Sequence, residues 1–250
     1  MDAADPARIA PGSPGSALWD PEAVPAATVV VLRDGTDGLE VLMLQRDQGL
    51  SFAGGMWVFP GGRLDPGDWP GGATPEDPSP EEFEIAARHA AVREAREESG
   101  LDVDEAALRR WSHWTPPPRA DKRFTTAFFV APATDATAEV VIDDGEIRAH
   151  RWARPGDVIA LRDAGEITLA PPTYITLFQL LGHDTVAEAM AAAHDRAVEH
   201  FATRIAVVGE QWVALYHGDV AYEHEEPDAE APGPRHRLYM DATWSYVREL

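Results

Sequence analysis

The chain has no cysteine, so disulfides, thiolate catalysis and cysteine-ligated zinc are all excluded. It is poor in cations: 21 Lys and Arg stand against 43 Asp and Glu, a formal net charge of −22 at pH 7. Phosphate backbones are held by basic surfaces. This balance therefore argues against general nucleic-acid binding, and against docking on anionic lipid through a polybasic patch. A small anionic substrate stays compatible with it, because a bound metal ion inverts the local charge. No apolar run approaches the ~20 residues of a membrane-spanning helix, so no membrane partner is expected. The 9 histidines include no HxxxH or HExxH pair, which leaves zinc of that kind without support. The N-terminus shows no basic start followed by an apolar run, so it does not read as a secretory signal, and a cytoplasmic protein is expected.

What is present suits one large domain or one domain with an extension. Residues 1–27 read as a disordered lead-in, with Pro6, Pro11, Pro14, Pro21 and Pro25 and few large apolar side chains. Residues 28–32 (TVVVL) and 39–44 (LEVLML) read as strands of a hairpin with a longer loop over 33–38. The short apolar run 56–59 stops at Pro60-Gly61-Gly62. Prolines and glycines make 66–80 an irregular insertion. A helix follows at once: Ser79 as N-cap, Pro80 in the first position, Glu82 closing a capping box, and Gly100 as the stop after Ser99. Ala86, Ala87, Ala90, Ala91 and Ala95 make this helix small-sided, able to lie close against a sheet. Residues 124–130, 138–142 and 147–152 read as strands and 157–162 as a short helix. Residues 173–181 and 185–201 read as helices, the second capped by Asp184. Residues 204–208 and 212–216 form a candidate hairpin, and 223–234 reads as a loose acidic, Pro-rich loop.

The segment from Arg93 to Leu101 (REAREESGL) carries the chemistry. On a helix, Glu94, Glu97 and Glu98 are spaced i, i+3, i+4 and share one face. A solvated acidic face would cost only about 0.2–0.5 kcal/mol per like-charge pair, so this cluster alone carries no function. The turn Phe59-Pro60-Gly61-Gly62 upstream, at the end of a strand, adds bare backbone able to approach a ligand. Together the two features make a hard-oxygen site of the kind Mg²⁺ and Mn²⁺ favour.

These residues resemble the Nudix box of the Nudix hydrolases. Gly62 matches the first glycine of that pattern, and Arg93, Glu94, Glu97, Glu98, Gly100 and Leu101 match its second half. Asp68 stands where the family has a glutamate, and 24 residues separate it from Arg93 where the family has seven. The excess falls on the Pro/Gly-rich insertion and leaves the role of Asp68 open. The runs Leu42-Met43-Leu44-Gln45-Arg46, Phe59 to Asp65, Trp114-Thr115-Pro116 and Lys122 to Phe129 look like the organellar coenzyme A diphosphatase branch, which also has a lengthened box. Thr125 departs from that branch, which is expected to carry Asp after Arg-Phe.

The resemblance implies an α/β Nudix-type α/β/α sandwich over 28–170, with a mixed β-sheet, followed by a helical C-terminal extension over 171–250. It implies hydrolysis of a nucleoside diphosphate linked to another group, with Mg²⁺ or Mn²⁺ held by Glu94, Glu97 and Glu98 and by the Gly62 carbonyl. Arg93 is expected to orient a carboxylate. Three carboxylates near 4 Å repel by about 4 kcal/mol per pair at an effective dielectric of 20, which a metal ion relieves. Glu146, before a strand, is the candidate for a further ligand or the general base, with a solvated turn as the alternative. Arg46 and Arg123 are candidate phosphate contacts, with surface ion pairs as the alternative, and Phe124 is a candidate for stacking on adenine, with core packing as the alternative. Coenzyme A or an acyl-CoA is the substrate the branch suggests. Nucleotide sugars, NADH, dinucleoside polyphosphates and oxidised nucleoside triphosphates share the same box, and some Nudix domains bind nucleotides without hydrolysis. A homodimer is a reasonable expectation from the family.

Overall fold

The computed structural model describes residues 23–50, 52–118, 120, 122–142, 145–208, 211–224 and 231–249. Strands β1 (Val24–Gly35), β2 (Gly38–Arg46), β3 (Trp57–Val58) and β4 (Gly61–Arg63) precede the long helix α1 (Pro80–Ser99). Then come β5 (Arg109–Thr115), β6 (Phe124–Pro132), β7 (Ile147–Ala153), α2 (Pro155–Asp163), α3 (Pro171–Leu180) and α4 (Val186–Asp195). The chain closes with β8 (Glu199–Ala202), β9 (Arg204–Val208), β10 (Gln211–Leu215), β11 (Arg235–Met240) and β12 (Trp244–Glu249).

Eight strands form one mixed sheet in the order β3-β2-β1-β6-β5-β8, with β4 paired to β1 and β7 to β2. The pairs β1–β6 and β5–β8 are parallel and the rest antiparallel. Side chains alternate across the pleat and so divide the core in two. Val29, Val31, Leu42, Leu44, Ala127 and Phe129 face α1 and its buried alanines. Val30, Leu32, Val41, Met43, Phe128 and Val130 face the opposite layer of α3, α4 and the C-terminal strands. The expected sandwich with a mixed sheet is present, and α1 has the expected caps: the Ser79 hydroxyl accepts from Glu82 N–H, and Gly100 closes the helix at φ 69°. Among the described residues no helix is long and apolar enough to cross a membrane.

Several expectations are corrected. The first hairpin is tight, with Gly35 opposite Gly38, because both strands extend to the glycines. Residues 24–27 belong to β1 rather than to a disordered lead-in, held by parallel pairing of Val24 with Phe124 through Ala27 with Ala127. The rest of that lead-in, 1–22, lies outside the described residues. Residues 138–142 are not a strand: Val141 N–H donates to the Ser99 carbonyl, which carries this segment across the end of α1 and out of the sheet. The helix expected over 185–201 is α4 followed by β8, and its cap is Thr185, not Asp184. Phe201 on β8 stacks flat on Trp114 at 4.0 Å, which draws that segment into the main sheet. The C-terminal extension is therefore not helical as a whole, because β9 to β12 form a second, antiparallel sheet. Of the loop over 223–234, residues 225–230 lie outside the described residues, and 223–224 and 231–234 belong to no helix or strand.

Candidate active site

The box residues converge where the start of β4 meets the last two turns of α1. Gly61 and Gly62 pair with Thr28 and Ala27 on β1, which fixes the glycine turn beside the helix. A side chain at Gly62 would strike the Glu94 carboxylate, with a Cβ only 2.6 Å from its Cδ. Gly61 has the same constraint against Thr28, at 2.8 Å from its Cα. Glycine is required at both positions by close approach, not by an unusual φ.

Two guanidinium groups divide the carboxylates. Arg93 Nη1 donates to Glu94 Oε1 at 2.8 Å and to Glu97 Oε2 at 2.9 Å. Its other edge meets Asp68, Nε to Oδ1 at 3.1 Å and Nη2 to Oδ2 at 2.9 Å, and Nη2 also reaches the Arg63 carbonyl. Arg46 spans the second group, with Nη2 2.9 Å from Glu146 Oε2 and Nη1 3.5 Å from Glu98 Oε1. Glu98 also accepts from Gly61 N–H at 3.0 Å. Its side chain is 7% exposed, whereas Glu97 is 59% exposed.

Burial pushes the Glu98 carboxyl up to about 8, with repulsion from Glu94 and Glu146 adding to it. Burial raises Glu94 as well, against the pull of Arg93. Burial disfavours the charged form of both despite an arginine beside each. Among the described residues no three acidic or histidine side chains are gathered tightly enough to hold an ion as they stand. Arg93 instead draws Glu94 and Glu97 to itself, and Arg46 bridges Glu98 and Glu146. The donor set is nevertheless all hard oxygen, backed by bare glycine backbone, and it fits a divalent cation.

The structure thus brings together Gly62, Arg93, Glu94, Glu97, Glu98, Arg46 and Glu146. Arg123 and Phe124 lie at the start of β6, on the other side of β1. The Arg123 carbonyl accepts from Val24 N–H there. Phe124 meets Phe52, with ring centroids 4.8 Å apart, at the loop 47–55. Thr125 points to the α1 face and partners His113 at 2.7 Å. The long gap after Asp68 does not separate it from the box: the insertion leaves and returns, and Asp68 is buried against Arg93. Besides its place after Gly62 in the box, its sequence signal is the Asp65-to-Asp68 capping spacing, which the 3₁₀ turn Pro66–Asp68 uses.

A mixed-sheet sandwich with a capped carboxylate helix against a glycine turn defines a Nudix hydrolase. Residues 23–173 match the NUDIX domain family, and the chain belongs to it. Nudix hydrolases are a diphosphatase family that typically uses divalent metal ions. Its fold is similar to that of a NUDIX hydrolase from Alicyclobacillus acidocaldarius, at TM-score 0.58 and 26% identity, over 68% of this chain and 96% of that one. In sequence it is similar to the acyl-coenzyme A diphosphatase NUDT19 of Gallus gallus, 27% identical over 190 residues, which is 70% of this chain and 50% of the relative. The chain spans about half the length of that curated relative.

Proposed function

We propose that this hydrolase cuts the diphosphate bridge of coenzyme A or an acyl-CoA, with Mg²⁺ or Mn²⁺ held by Glu94, Glu97, Glu98 and the Gly62 carbonyl. The observation that carries the metal reading is the buried Glu98 carboxylate, close to Glu94, at a glycine turn that leaves no room for a side chain. The substrate reading is supported by the branch-like runs around Arg46 and Phe124, and by the likeness to a protein named for acyl-coenzyme A diphosphatase activity.

A divalent ion bound here would neutralise the bridge oxygens and acidify a water molecule. The chain's own residues do the rest. Arg93, fixed by Asp68, keeps Glu94 and Glu97 aligned. Glu146 takes the proton of the attacking water or serves as a further ligand. Arg46 and Arg123 contact phosphate oxygens, for which a guanidinium fork is shaped. Phe124, with Phe52 against it, offers a ring face to adenine. The water oxygen bonds to one phosphorus as the bond from that phosphorus to the bridging oxygen breaks. The products are a 4′-phosphopantetheine species and adenosine 3′,5′-bisphosphate.

The test is a substrate panel with Mg²⁺ or Mn²⁺, read by mass spectrometry: coenzyme A, an acyl-CoA, NADH, ADP-ribose, diadenosine polyphosphates and 8-oxo-dGTP. Adenosine 3′,5′-bisphosphate formed selectively, and lost in Glu97→Gln, is the expected result. Cleavage of another diphosphate keeps the reaction class and removes coenzyme A. No cleavage of any member overturns the hydrolytic reading of this panel.

A further inference from the structure

Glu146 is held twice by one dipeptide at the end of β2. Asp47 N–H donates to the Glu146 carbonyl at 2.7 Å, and Arg46 Nη2 donates to its carboxylate at 2.9 Å. The ladder reaches this arrangement through a β-bulge. Pairing of β2 with β7 is regular through Gln45 opposite Ala149, and then Arg46 stands opposite Ile147. Arg148 is the extra residue. Its Nε donates to Asp47 Oδ2 at 2.5 Å, while Asp47 Oδ1 accepts from Gly49 N–H at 2.8 Å and closes the turn that opens loop 47–55.

The consequence follows from the register. A regular ladder would set Arg148 opposite Arg46, placing two guanidinium groups side by side. It would set Ile147 opposite Asp47, on the face away from α1, although Ile147 is fully buried in the α1-facing core. Glu146 would then fall opposite Gln48, two residues past Arg46. The bulge removes all three outcomes at once. Bulges bend a strand and re-aim side chains next to active sites.

We propose that the Arg148 bulge, locked by the Asp47–Arg148 ion pair, sets the position of Glu146, so that Asp47 and Arg148 are positioning residues for hydrolysis. The proposal rests on the reading of Glu146 as base or further ligand. The ion pair is half exposed, with Arg148 at 52% and Asp47 at 30%. Such a pair adds little to stability. Misplacing a reacting group by about 1 Å, in contrast, can cost on the order of 100-fold in rate.

The experiment compares Asp47→Asn, Arg148→Gln, Arg148→Lys and Glu146→Gln in the full chain. Asparagine keeps an oxygen for Gly49 and loses only the charge facing Arg148. Turnover is followed on coenzyme A with Mn²⁺, or on whichever panel diphosphate is cleaved, alongside amide hydrogen exchange of residues 145–149. Asp47→Asn and Arg148→Gln should each lower kcat by about tenfold or more with KM and Tm near wild type. Arg148→Lys should recover part of that loss. Exchange over 145–149 should quicken while α1 stays protected. In a Glu146→Gln background, Asp47→Asn should cost nothing further.

An equal loss in both backgrounds overturns the proposal, because Asp47 then acts elsewhere. Unchanged exchange in both Asp47→Asn and Arg148→Gln overturns it without any substrate. Near-normal turnover of Glu146→Gln instead refutes the reading of Glu146 itself. Loss of turnover in Glu146→Gln with full kcat in Asp47→Asn removes the positioning role and leaves that reading standing.

Discussion

Asp68 and Arg93 stand 25 positions apart and meet as a two-pronged ion pair, at 3.1 and 2.9 Å. The insertion between them is spliced into the box without separating its parts. Asp68 occupies the outer edge of the guanidinium, so the inner edge is free to hold Glu94 and Glu97. Asp68→Ala should cost about 1.5–3 kcal/mol in stability, the range for hydrogen bonds to charged groups. It should also weaken Mn²⁺ binding, since Glu94 and Glu97 lose their alignment. Thermal melts and Mn²⁺ titration check both; full Mn²⁺ affinity in the variant would contradict the alignment role.

Divalent ions should raise the melting temperature of the wild-type chain. At about 100 times the Kd the gain corresponds to about 2.7 kcal/mol. Glu97→Gln should remove much of it while leaving the metal-free melt near wild type, because Glu97 is the most exposed of the three box carboxylates. A melt indifferent to Mn²⁺ and Mg²⁺ would remove the metal assignment.

Gly62→Ala should abolish turnover by more than tenfold with little change in secondary structure. The added Cβ has no room beside Glu94, yet Gly62 lies at an ordinary strand φ, so the backbone tolerates alanine. Circular dichroism with turnover measured in parallel separates the two effects.

His113 and His200 should each withdraw stability as pH falls below about 6.5, against the opposite contribution of Glu98 and Glu94. Burial, with Arg110 nearby, holds His113 well below its usual value, and burial pushes His200 down to about 4. The unfolded chain takes up these protons first, so each group withdraws about 1.4 kcal/mol per pH unit between its unfolded and folded pKa. His113 is fixed further: its Nδ1 faces Arg110 and its Nε2 faces Thr125. Denaturant melts of wild type and His200→Gln between pH 7.5 and 5 isolate the His200 share, and the variant should gain on the wild type as pH falls.

Asp219→Ala should destabilise the second sheet by about 3–5 kcal/mol, the cost of leaving a buried charge without its partner. The Asp219 and Arg237 side chains are both buried and meet at 2.6 and 2.7 Å. Limited proteolysis should then cut within the C-terminal strands before the main sheet.

Local chemistry was legible in the sequence. The caps of α1, its alanine face, the i, i+3, i+4 carboxylates and the glycine turn each depend on near neighbours, and each stands where spacing puts it. The hydrophobic alternation of β1, β2 and β6 was equally local. The hairpin of β9 and β10 stands where its apolar runs put it, but β11 and β12 were not legible, because their polar, interrupted runs become strands only by packing on the α3 layer. Likewise 185–201 reads as helix by composition, and the flat stack of Phe201 on Trp114 overrides it.

By itself, then, the sequence determined the family and the box residues proposed to carry the chemistry, since the box is a local pattern on one helix and one turn. Tertiary structure alone decided what those residues face. Asp68 reaches Arg93 across a loop, Arg46 reaches Glu98 and Glu146 from a different strand, and a one-residue bulge at Arg148 decides which side chain stands opposite Arg46. Such pairings span from 25 to 101 positions, and no local propensity encodes them.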